Sequence, residues 1–310
     1  MAEDSGSVTM SGTPVLERGR PVTDAELRRK ADWIRLQTVD LIAQAGLGHY
    51  ASTFSCAEIV ATLYYRTLRL RPGEPRWPDR DRFLLGKGHV ATGLWPVLAD
   101  LGFYDKVLLK QFGKVGSPLN DHPNMRLAPG IDFSSGSLGH GLSTTLGMTL
   151  AARVQGRPYR SYVILGDGEL CEGQVWEAAM AAGHYRAGPL VAIVDRNQLS
   201  IDGPTESIMG VEPLDEKFRA FRWQVQRIDG HDFDAILDAF AGLHTDPHGP
   251  PQMIIADTVK GRGVQRMELD TNWHVGNLVG ADYDDVLAEI EAGLQPVTAG
   301  RDGQAGGGNG

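Results

Sequence analysis

The chain has 310 residues, 42% hydrophobic and 22% charged, as in a soluble globular protein of one large or two small domains. A net charge of -9 argues against nucleic acid or an anionic membrane as the main partner, because phosphate surfaces select for an excess of Lys and Arg. No apolar run reaches the roughly 18 residues that a membrane-spanning helix needs.

The first half of the chain predicts helices around one short strand. Residues 1–22 are polar and patternless, and we expect a disordered tail there. A helix over 24–46 follows, with apolar residues at helical spacing and Gly46 as its stop signal. Further helices are predicted at "CAEIVATLYYRTL" and "GLWPVLADLG", and a short strand lies in "RDRFLLGKGH". The glycine-rich "SSGSLGHGLSTTLGMTLAARVQG" predicts a loop that runs into a helix of small residues.

The second half alternates strands with helices. Strands are predicted at "RSYVILGDG", "PLVAIVDRN", "WQVQRIDG" and "PQMIIADTVKG", and helices at "EGQVWEAAMAAGHYRAG", "PLDEKFRAF", "FDAILDAFAGLH" and "DYDDVLAEIEAGL". The strands are continuous apolar runs, which is typical of a sheet covered on both faces. We therefore predict an α/β fold with a doubly wound, mainly parallel sheet and helices on both faces, in one domain over 23–295. Residues 296–310 are Gly-rich, and we expect a second disordered tail.

Polar residues follow two of these strands where each strand ends. "GDG" contains Asp167, and Asn197 ends "DRN" 30 residues later. In such sheets ligands bind outside the carboxyl ends of the strands. Carboxylate and amide oxygens suit Mg²⁺, and glycines let backbone N–H groups approach an anion, so a metal-bridged diphosphate is predicted. The diphosphate could belong to a nucleotide or to another cofactor. Two nucleotide-binding fingerprints are missing from the sequence: GxxxxGK[ST], and GxGxxG at the start of a helix with an acidic residue further on.

"GDG" followed about thirty residues later by Asn resembles the thiamine-diphosphate signature, and its surroundings resemble the N-terminal part of transketolases. The matching motifs are "GHYASTFSCAEIVATLY", "RDRFLLGKGHVATGLWPVLADLG", "SSGSLGHGLS", "LGDGELCEGQVWEAAMAAGHY", "AIVDRNQLSIDGPT", "PLDEKFRAFRWQVQRIDGHD" and "ADTVKGRGV". The resemblance runs from about residue 25 to about residue 277. It implies the thiamine-diphosphate-binding fold, in its diphosphate-type domain.

The resemblance also implies roles for the matched residues. The Mg²⁺ ligands would be Asp167, the side chain of Asn197 and the carbonyl of Leu199. The thiamine diphosphate contacts would come from His89, Gly136, Leu138, Gly168, Glu169, Asn197, Ile201 and His274. The catalytic residues would be His49, His122 and His274, which face the substrate, and Glu172, in an acidic network towards a partner's glutamate.

The activity implied by the resemblance is transfer of a two-carbon ketol unit from a ketose to an aldose, as sugars or sugar phosphates. The motifs belong only to the diphosphate-binding domain. They imply a C-terminal transketolase subunit that supplies the activating glutamate and the pyrimidine site, in an α2β2 heterotetramer. The alternatives are an α-type subunit of another thiamine-diphosphate enzyme, such as a 2-oxo acid dehydrogenase E1, and a non-catalytic module that retains the fold.

Three positions depart from the family pattern. Tyr50 stands where Pro is usual, His140 stands where Gln is common, and "NDHP" replaces "GHP" around His122. All three are expected near the substrate or the pyrimidine, where they would bear on substrate identity.

The two cysteines, Cys56 and Cys171, are too few for a disulfide framework and fit a reducing cytoplasm. The N-terminus has no basic start or apolar core of a signal peptide, so we expect a cytoplasmic location. Both thiols are expected to be small buried hydrophobes.

Overall fold

A five-stranded parallel sheet forms the centre of the computed structural model, which describes residues 15–294. The strands are β1 (Arg82–Leu85), β2 (Ser161–Gly166), β3 (Leu190–Arg196), β4 (Gln224–Asp229) and β5 (Gln252–Asp257). Their order across the sheet is β1-β2-β3-β5-β4, and every neighbouring pair is parallel. The predicted α/β class and its parallel sheet are confirmed.

Ten α-helices accompany the sheet within the described residues. They are α1 (Asp24–Ala45), α2 (Ala51–Phe54), α3 (Ala57–Thr62), α4 (Ala91–Asp100), α5 (His140–Gln155), α6 (Gly173–His184), α7 (Thr205–Ile208), α8 (Leu214–Ala220), α9 (Phe233–Ala241) and α10 (Ala281–Leu294). The single turns α2 and α7 are not predicted from the sequence. The helix predicted over 56–68 is divided in the structure. Its first part is α3, and its second part is a π-helical turn, Leu63–Thr67. Short 3₁₀ turns lie at Gly88–Val90, Lys106–Gln111, Gly168–Cys171, Gln265–Met267 and Thr271–Trp273.

The sheet is buried on both faces because successive side chains of a strand point into two different cores. On β2, Tyr162 and Ile164 pack in a core with α1, α3, α4 and α9. Val163 and Leu165 pack in the opposite core with α5, α6 and α8. Every residue of β2 is buried, which explains why its sequence is a continuous apolar run.

The start of the described chain corrects the predicted N-terminal tail. Leu16 forms an antiparallel bridge with Leu70, and Arg18 pairs with the buried Asp81. Residues 15–22 therefore pack on the domain, through partners more than 50 residues away that no local pattern reveals. The rest of the two predicted tails, 1–14 and 295–310, lies outside the described residues.

The two cysteines differ in their surroundings. Cys56 is buried as expected, whereas Cys171 is exposed, so the expectation of a buried thiol is wrong there. Cys171 is the last residue of the 3₁₀ turn that follows β2. Between residues 15 and 294, no helix is long and apolar enough to cross a membrane.

Candidate active site

The carboxyl ends of β2 and β3 open onto a cavity of about 380 Å³. Gly166 of β2 is paired with Asp195 of β3, so the turns after these strands emerge side by side. Twelve of the thirteen predicted site residues line this cavity, and they are His49, His89, His122, Gly136, Leu138, Asp167, Gly168, Glu169, Asn197, Leu199, Ile201 and His274. Glu172 is the one that does not.

Asp167 is the carboxylate at the end of β2. Its buried side chain accepts hydrogen bonds from the backbone N–H of Gln198 at 2.7 Å, the N–H of Gly168 at 2.9 Å and the hydroxyl of Thr205 at 3.2 Å. Burial and the neighbouring Asp195 raise the pKa of this carboxyl. A bound cation would favour its ionised form, which burial disfavours.

Asn197 and Leu199 come from the turn after β3. The Asn197 amide donates to the carboxylate of Asp195 at 3.2 Å, and its oxygen accepts from the N–H of Leu199 at 3.2 Å. The carbonyl of Leu199 accepts from Nζ of Lys260 at 3.0 Å. Burial, with the nearby Lys87, lowers the pKa of Lys260 to about 8. Oxygen atoms and a basic side chain therefore meet in the same part of the cavity.

These groups fit a hard cation with a diphosphate. A carboxylate, an amide oxygen and a backbone carbonyl suit Mg²⁺, which commonly takes its remaining ligands from phosphate and water. Residues 15–294 contain no cluster of three or more His, Cys, Asp or Glu able to hold a metal. At Gly168 a Cβ would lie 2.9 Å from the hydroxyl of Ser200, so glycine lets this turn pack closely against the turn after β3.

A buried ion pair supports this end of the cavity. Nζ of Lys87 donates to the carboxylate of Asp195 and to the carbonyl of Ser52, the latter at 2.8 Å. Asp195 also accepts from the hydroxyls of Ser55 and Thr258. Burial opposes both charges, but the attraction between them raises the pKa of Lys87 and lowers that of Asp195. Both groups therefore remain charged at neutral pH.

Four histidine rings form the other end of the cavity. The ring centroid of His49 lies 4.9 Å from that of His89, 5.1 Å from that of His274 and 6.2 Å from that of His122. The rings come from three separate loops and one 3₁₀ turn, so the cluster is a product of tertiary structure.

Burial makes two of these rings neutral. Burial, together with Lys87 and the neighbouring rings, lowers the pKa of His89 well below its ordinary value. Burial and Lys260 lower the pKa of His274 to about 3. A neutral imidazole donates from one nitrogen and accepts at the other. Within the described structure Nδ1 of His274 is buried without a hydrogen-bond partner, so a polar ligand could satisfy it.

Two of the three departures from the family pattern lie away from the cavity. Tyr50 is fully buried in a core with residues of α1 and α10, and its hydroxyl accepts from the N–H of Leu278 at 3.1 Å. The adjacent backbones of Gly48 and Gly276 form an antiparallel bridge. Tyr50 thus helps to hold the loop of His274 and does not face a substrate. His140 is exposed at the start of α5 and does not line the cavity either.

The two predicted glutamates have different surroundings. The Glu169 carboxylate is buried and accepts from the N–H groups of Gly139 at 3.0 Å and Gly166 at 3.1 Å. Burial raises its pKa to about 7. Glu172 is exposed immediately before α6, against Gly139, and its catalytic role stays a prediction. Glu169 therefore joins two glycine turns of the site, while Glu172 lies outside the cavity.

Lys87 and Lys260 have no predicted role, although both line the cavity. Each lies in a glycine-containing turn shortly after an apolar strand, in "GKGH" and "VKGRG". A basic residue at the carboxyl end of a parallel strand is a signal for anion binding, and it is visible in the sequence.

Comparison with known proteins identifies the family. The family profile "Transketolase, thiamine diphosphate binding domain" matches residues 27–298. A 6-deoxy-6-sulfo-D-fructose transketolase subunit from a Clostridium species is 41% identical over 266 residues, which is 86% of this chain and 96% of that protein. An apulose-4-phosphate transketolase subunit from Phocaeicola vulgatus is 35% identical over 263 residues, 85% of this chain and 93% of that protein. The transketolase structure from Campylobacter jejuni has a TM-score of 0.79 at 27% identity, over 86% of this chain and 42% of that chain.

The fold is that of a thiamine-diphosphate-binding α/β domain. The chain belongs to the transketolase family. The predicted enzyme class, a transketolase-type transferase, is confirmed. The predicted match to the N-terminal subunit of a two-component transketolase is also confirmed, because relatives named as subunits align over nearly their whole length. The family match favours a transketolase over an α-type subunit of a 2-oxo acid dehydrogenase E1.

Proposed function

We propose that this chain binds Mg²⁺ and thiamine diphosphate in its cavity and, with a partner subunit, transfers a two-carbon ketol unit from a ketose to an aldose. The observation that carries this proposal is that two sets of groups share one cavity. The oxygen atoms of Asp167, Asn197 and Leu199 suit a metal-bound diphosphate. The histidine rings suit the hydroxyl and carbonyl groups of a sugar, since they can donate, accept or transfer protons near neutral pH.

Bound thiamine diphosphate supplies the nucleophilic carbon that makes cleavage of a ketose possible. The chain's own residues bind and orient it. Asp167, the Asn197 side chain and the Leu199 carbonyl would hold the cation, while Gly168 and His89 would bind the diphosphate. Gly136 and Leu138 would contact the aminopyrimidine, Ile201 would contact the thiazolium, and Glu169 and His274 would make the remaining contacts. Such positioning contributes to the rate by fixing reacting groups in place.

Three histidines act on the sugar. His49, His122 and His274 bind its hydroxyl and carbonyl oxygens near the reacting carbon. His274 is neutral at pH 7 because of its lowered pKa, so it can accept a proton at one nitrogen and donate one from the other. Glu172, exposed beside the site, extends towards the acidic network of the partner.

A partner subunit carrying the pyrimidine-binding domain and the activating glutamate completes the site, in an α2β2 heterotetramer. The relatives named as transketolase subunits support this. So do the cavity-lining side chains of Ile201 and Ile208, which are 60% and 48% exposed, and the adjacent Met209, which is 58% exposed. Large apolar side chains grouped beside a binding site mark surfaces that partners cover.

The substrates in this proposal are small sugars or sugar phosphates. One relative is named for a sulfo sugar and another for a sugar phosphate, so the family accommodates different sugars. A cytoplasmic location is also part of the proposal, and the two free cysteines support it.

The test is a ketol-transfer assay with Mg²⁺ and thiamine diphosphate, using the purified chain alone and mixed with its pyrimidine-binding subunit. We expect turnover only in the mixture, and equal turnover by the lone chain would overturn the partner requirement. A calorimetric titration of the mixture with Mg²⁺ and thiamine diphosphate tests cofactor binding, and no heat of binding would overturn the cofactor assignment. Turnover of 2-oxo acids in place of ketoses would overturn the assigned reaction.

A further inference from the structure

An acidic side chain lies against the histidine end of the cavity. Both carboxylate oxygens of Asp121, in "NDHP", contact Nδ1 of His49, at 3.1 and 3.0 Å. One of them also lies 3.4 Å from Nδ1 of His122. A single carboxylate therefore contacts two of the four rings that line the cavity. It lies in the third departure from the family pattern, and none of the predicted site roles includes it.

Two positive charges also act on these rings. Lys87 contributes to the lowered pKa of His89, and Lys260 to that of His274. Asp121 acts on His274 in the opposite direction, since its negative charge favours a protonated ring. Its side chain is 32% exposed, so this carboxylate lies at the rim of the cavity.

The contact with Asp121 decides which edge of the His49 ring faces the cavity. An ionised carboxylate only accepts hydrogen bonds, so Nδ1 of His49 carries the hydrogen. Nε2 is then the nitrogen available to a substrate, as an acceptor in the neutral ring. An imidazole without such a partner can exchange between its two tautomers and rotate its ring by half a turn, so it populates several tautomers and orientations. The Asp121 carboxylate thus selects one tautomer and one orientation of the His49 ring.

We propose that Asp121 is a positioning residue for ketol transfer, which holds the ring of His49 with Nε2 towards the substrate. Its effect on catalysis rests on the proposed function, whereas its effect on the His49 ring does not. Asp121 acts through His49 and leaves the metal and diphosphate end of the cavity unchanged.

The kinetic test compares Asp121→Ala and Asp121→Asn in the complex with the partner subunit. In Asp121→Ala, kcat/KM should fall about tenfold to a hundredfold, as when a hydrogen-bond partner of a functional histidine is lost, while the Kd for thiamine diphosphate stays unchanged. Asp121→Asn keeps an acceptor oxygen and should recover part of the loss. Asp238→Ala, which removes an exposed carboxylate on α9, is the matched control and should behave as the wild type.

A double variant separates positioning from a general structural effect. Asp121→Ala combined with His49→Ala should be no slower than His49→Ala alone, because Asp121 acts through His49. Losses that simply multiply would overturn the proposal, and so would an Asp121→Ala complex with wild-type kcat/KM.

The ring of His49 can also be observed without any assay. In ¹⁵N spectra of the full chain in mildly alkaline buffer, with His49 assigned by its loss in His49→Gln, we expect the Nδ1-protonated tautomer. In Asp121→Ala we expect a mixture of the Nδ1-protonated and Nε2-protonated tautomers of His49. An identical tautomer in both proteins would overturn the proposal even if the complex is active. A wild-type complex that lacks ketol transfer would overturn the proposed function, while the tautomer result would still decide the role of Asp121.

Discussion

The two ends of the cavity are built from different parts of the fold. Asp167 and Asn197 directly follow neighbouring strands, and a buried ion pair between Lys87 and Asp195 supports the turns that carry them. Three of the four histidines come from loops, and the side chain of His122 is 45% exposed. The register of a buried parallel sheet determines where the residues of the metal end lie. Side-chain contacts between loops determine where the rings of the histidine end lie.

This difference has a consequence for substitutions. At the metal end a change should affect stability and cofactor binding together, because the same buried groups serve both. At the histidine end a change should affect substrate handling with a smaller loss of stability, since these rings come from loops and a 3₁₀ turn outside the buried sheet. Substitutions at each end therefore test this division.

Lys87→Met should have the largest effect on stability. It leaves the carboxylate of Asp195 buried without its cation, and breaking a buried ion pair from one side costs about 3–5 kcal/mol. Urea unfolding followed by circular dichroism measures the change in the free energy of unfolding.

The control for this variant is an exposed pair. Arg219→Ala removes the partner of Asp215 on α8, and the free energy of unfolding should change by less than about 1 kcal/mol. Equal losses in the two variants would contradict the assigned importance of the buried pair beneath the metal end.

The two ends also differ in how far the sequence predicts them. Asp167 and Asn197 were predictable because each directly follows an apolar strand, and adjacent parallel strands bring their carboxyl ends together. The bond from Lys260 to the carbonyl of Leu199 joins residues 61 apart in the chain, and that from His49 to Asp121 joins residues 72 apart. No periodicity or turn signal specifies such contacts, because they depend on how loops pack after the sheet has formed.

The sequence also predicts long, regular helices better than single helical turns. The helix that ends at Gly46 is predicted within one residue, since Gly46 adopts φ 85° and Thr23 caps the first turn. The turns α2 and α7 are four residues long and have no detectable period. Tyr50, just before α2, was expected near the substrate and is instead a core residue, because its ring packs with Phe54.

Asp167→Ala should weaken Mg²⁺-dependent binding of thiamine diphosphate by at least about a hundredfold, because it removes the only carboxylate proposed as a metal ligand. Isothermal titration of the complex, with and without Mg²⁺, measures the change. Asp234→Ala, an exposed carboxylate on α9, serves as the control and should leave the Kd unaltered. Unchanged affinity in Asp167→Ala would remove this residue from the metal site.

Tyr50→Phe should lower the free energy of unfolding by about 1–2 kcal/mol, because it leaves the buried N–H of Leu278 without its acceptor. Thiamine diphosphate affinity should remain unchanged, as this hydrogen bond supports the loop of His274 and not the metal end. Tyr185→Phe, at a side chain that is 52% exposed, is the matched control. A large loss of cofactor affinity in Tyr50→Phe would show that the two ends are not separable.

His274→Gln should alter how stability depends on pH. The pKa of His274 falls from 6.5 to about 3 on folding, so between these values the unfolded chain binds more protons than the folded one. The free energy of unfolding therefore decreases as the pH falls through this window. Glutamine does not titrate, so the variant should lose less stability than the wild type between neutral pH and about pH 5.

Urea midpoints of both proteins at the two pH values measure this effect, which should be the smallest of the four because the ring is only half-buried and solvent screens its charge. The comparison is between slopes, so a constant offset from lost packing does not matter. Parallel curves would mean that His274 is protonated equally in the folded and unfolded chain. Its ring would then bind a sugar oxygen as a cation at low pH, and the histidine end would lose the neutral donor and acceptor pair assigned to it.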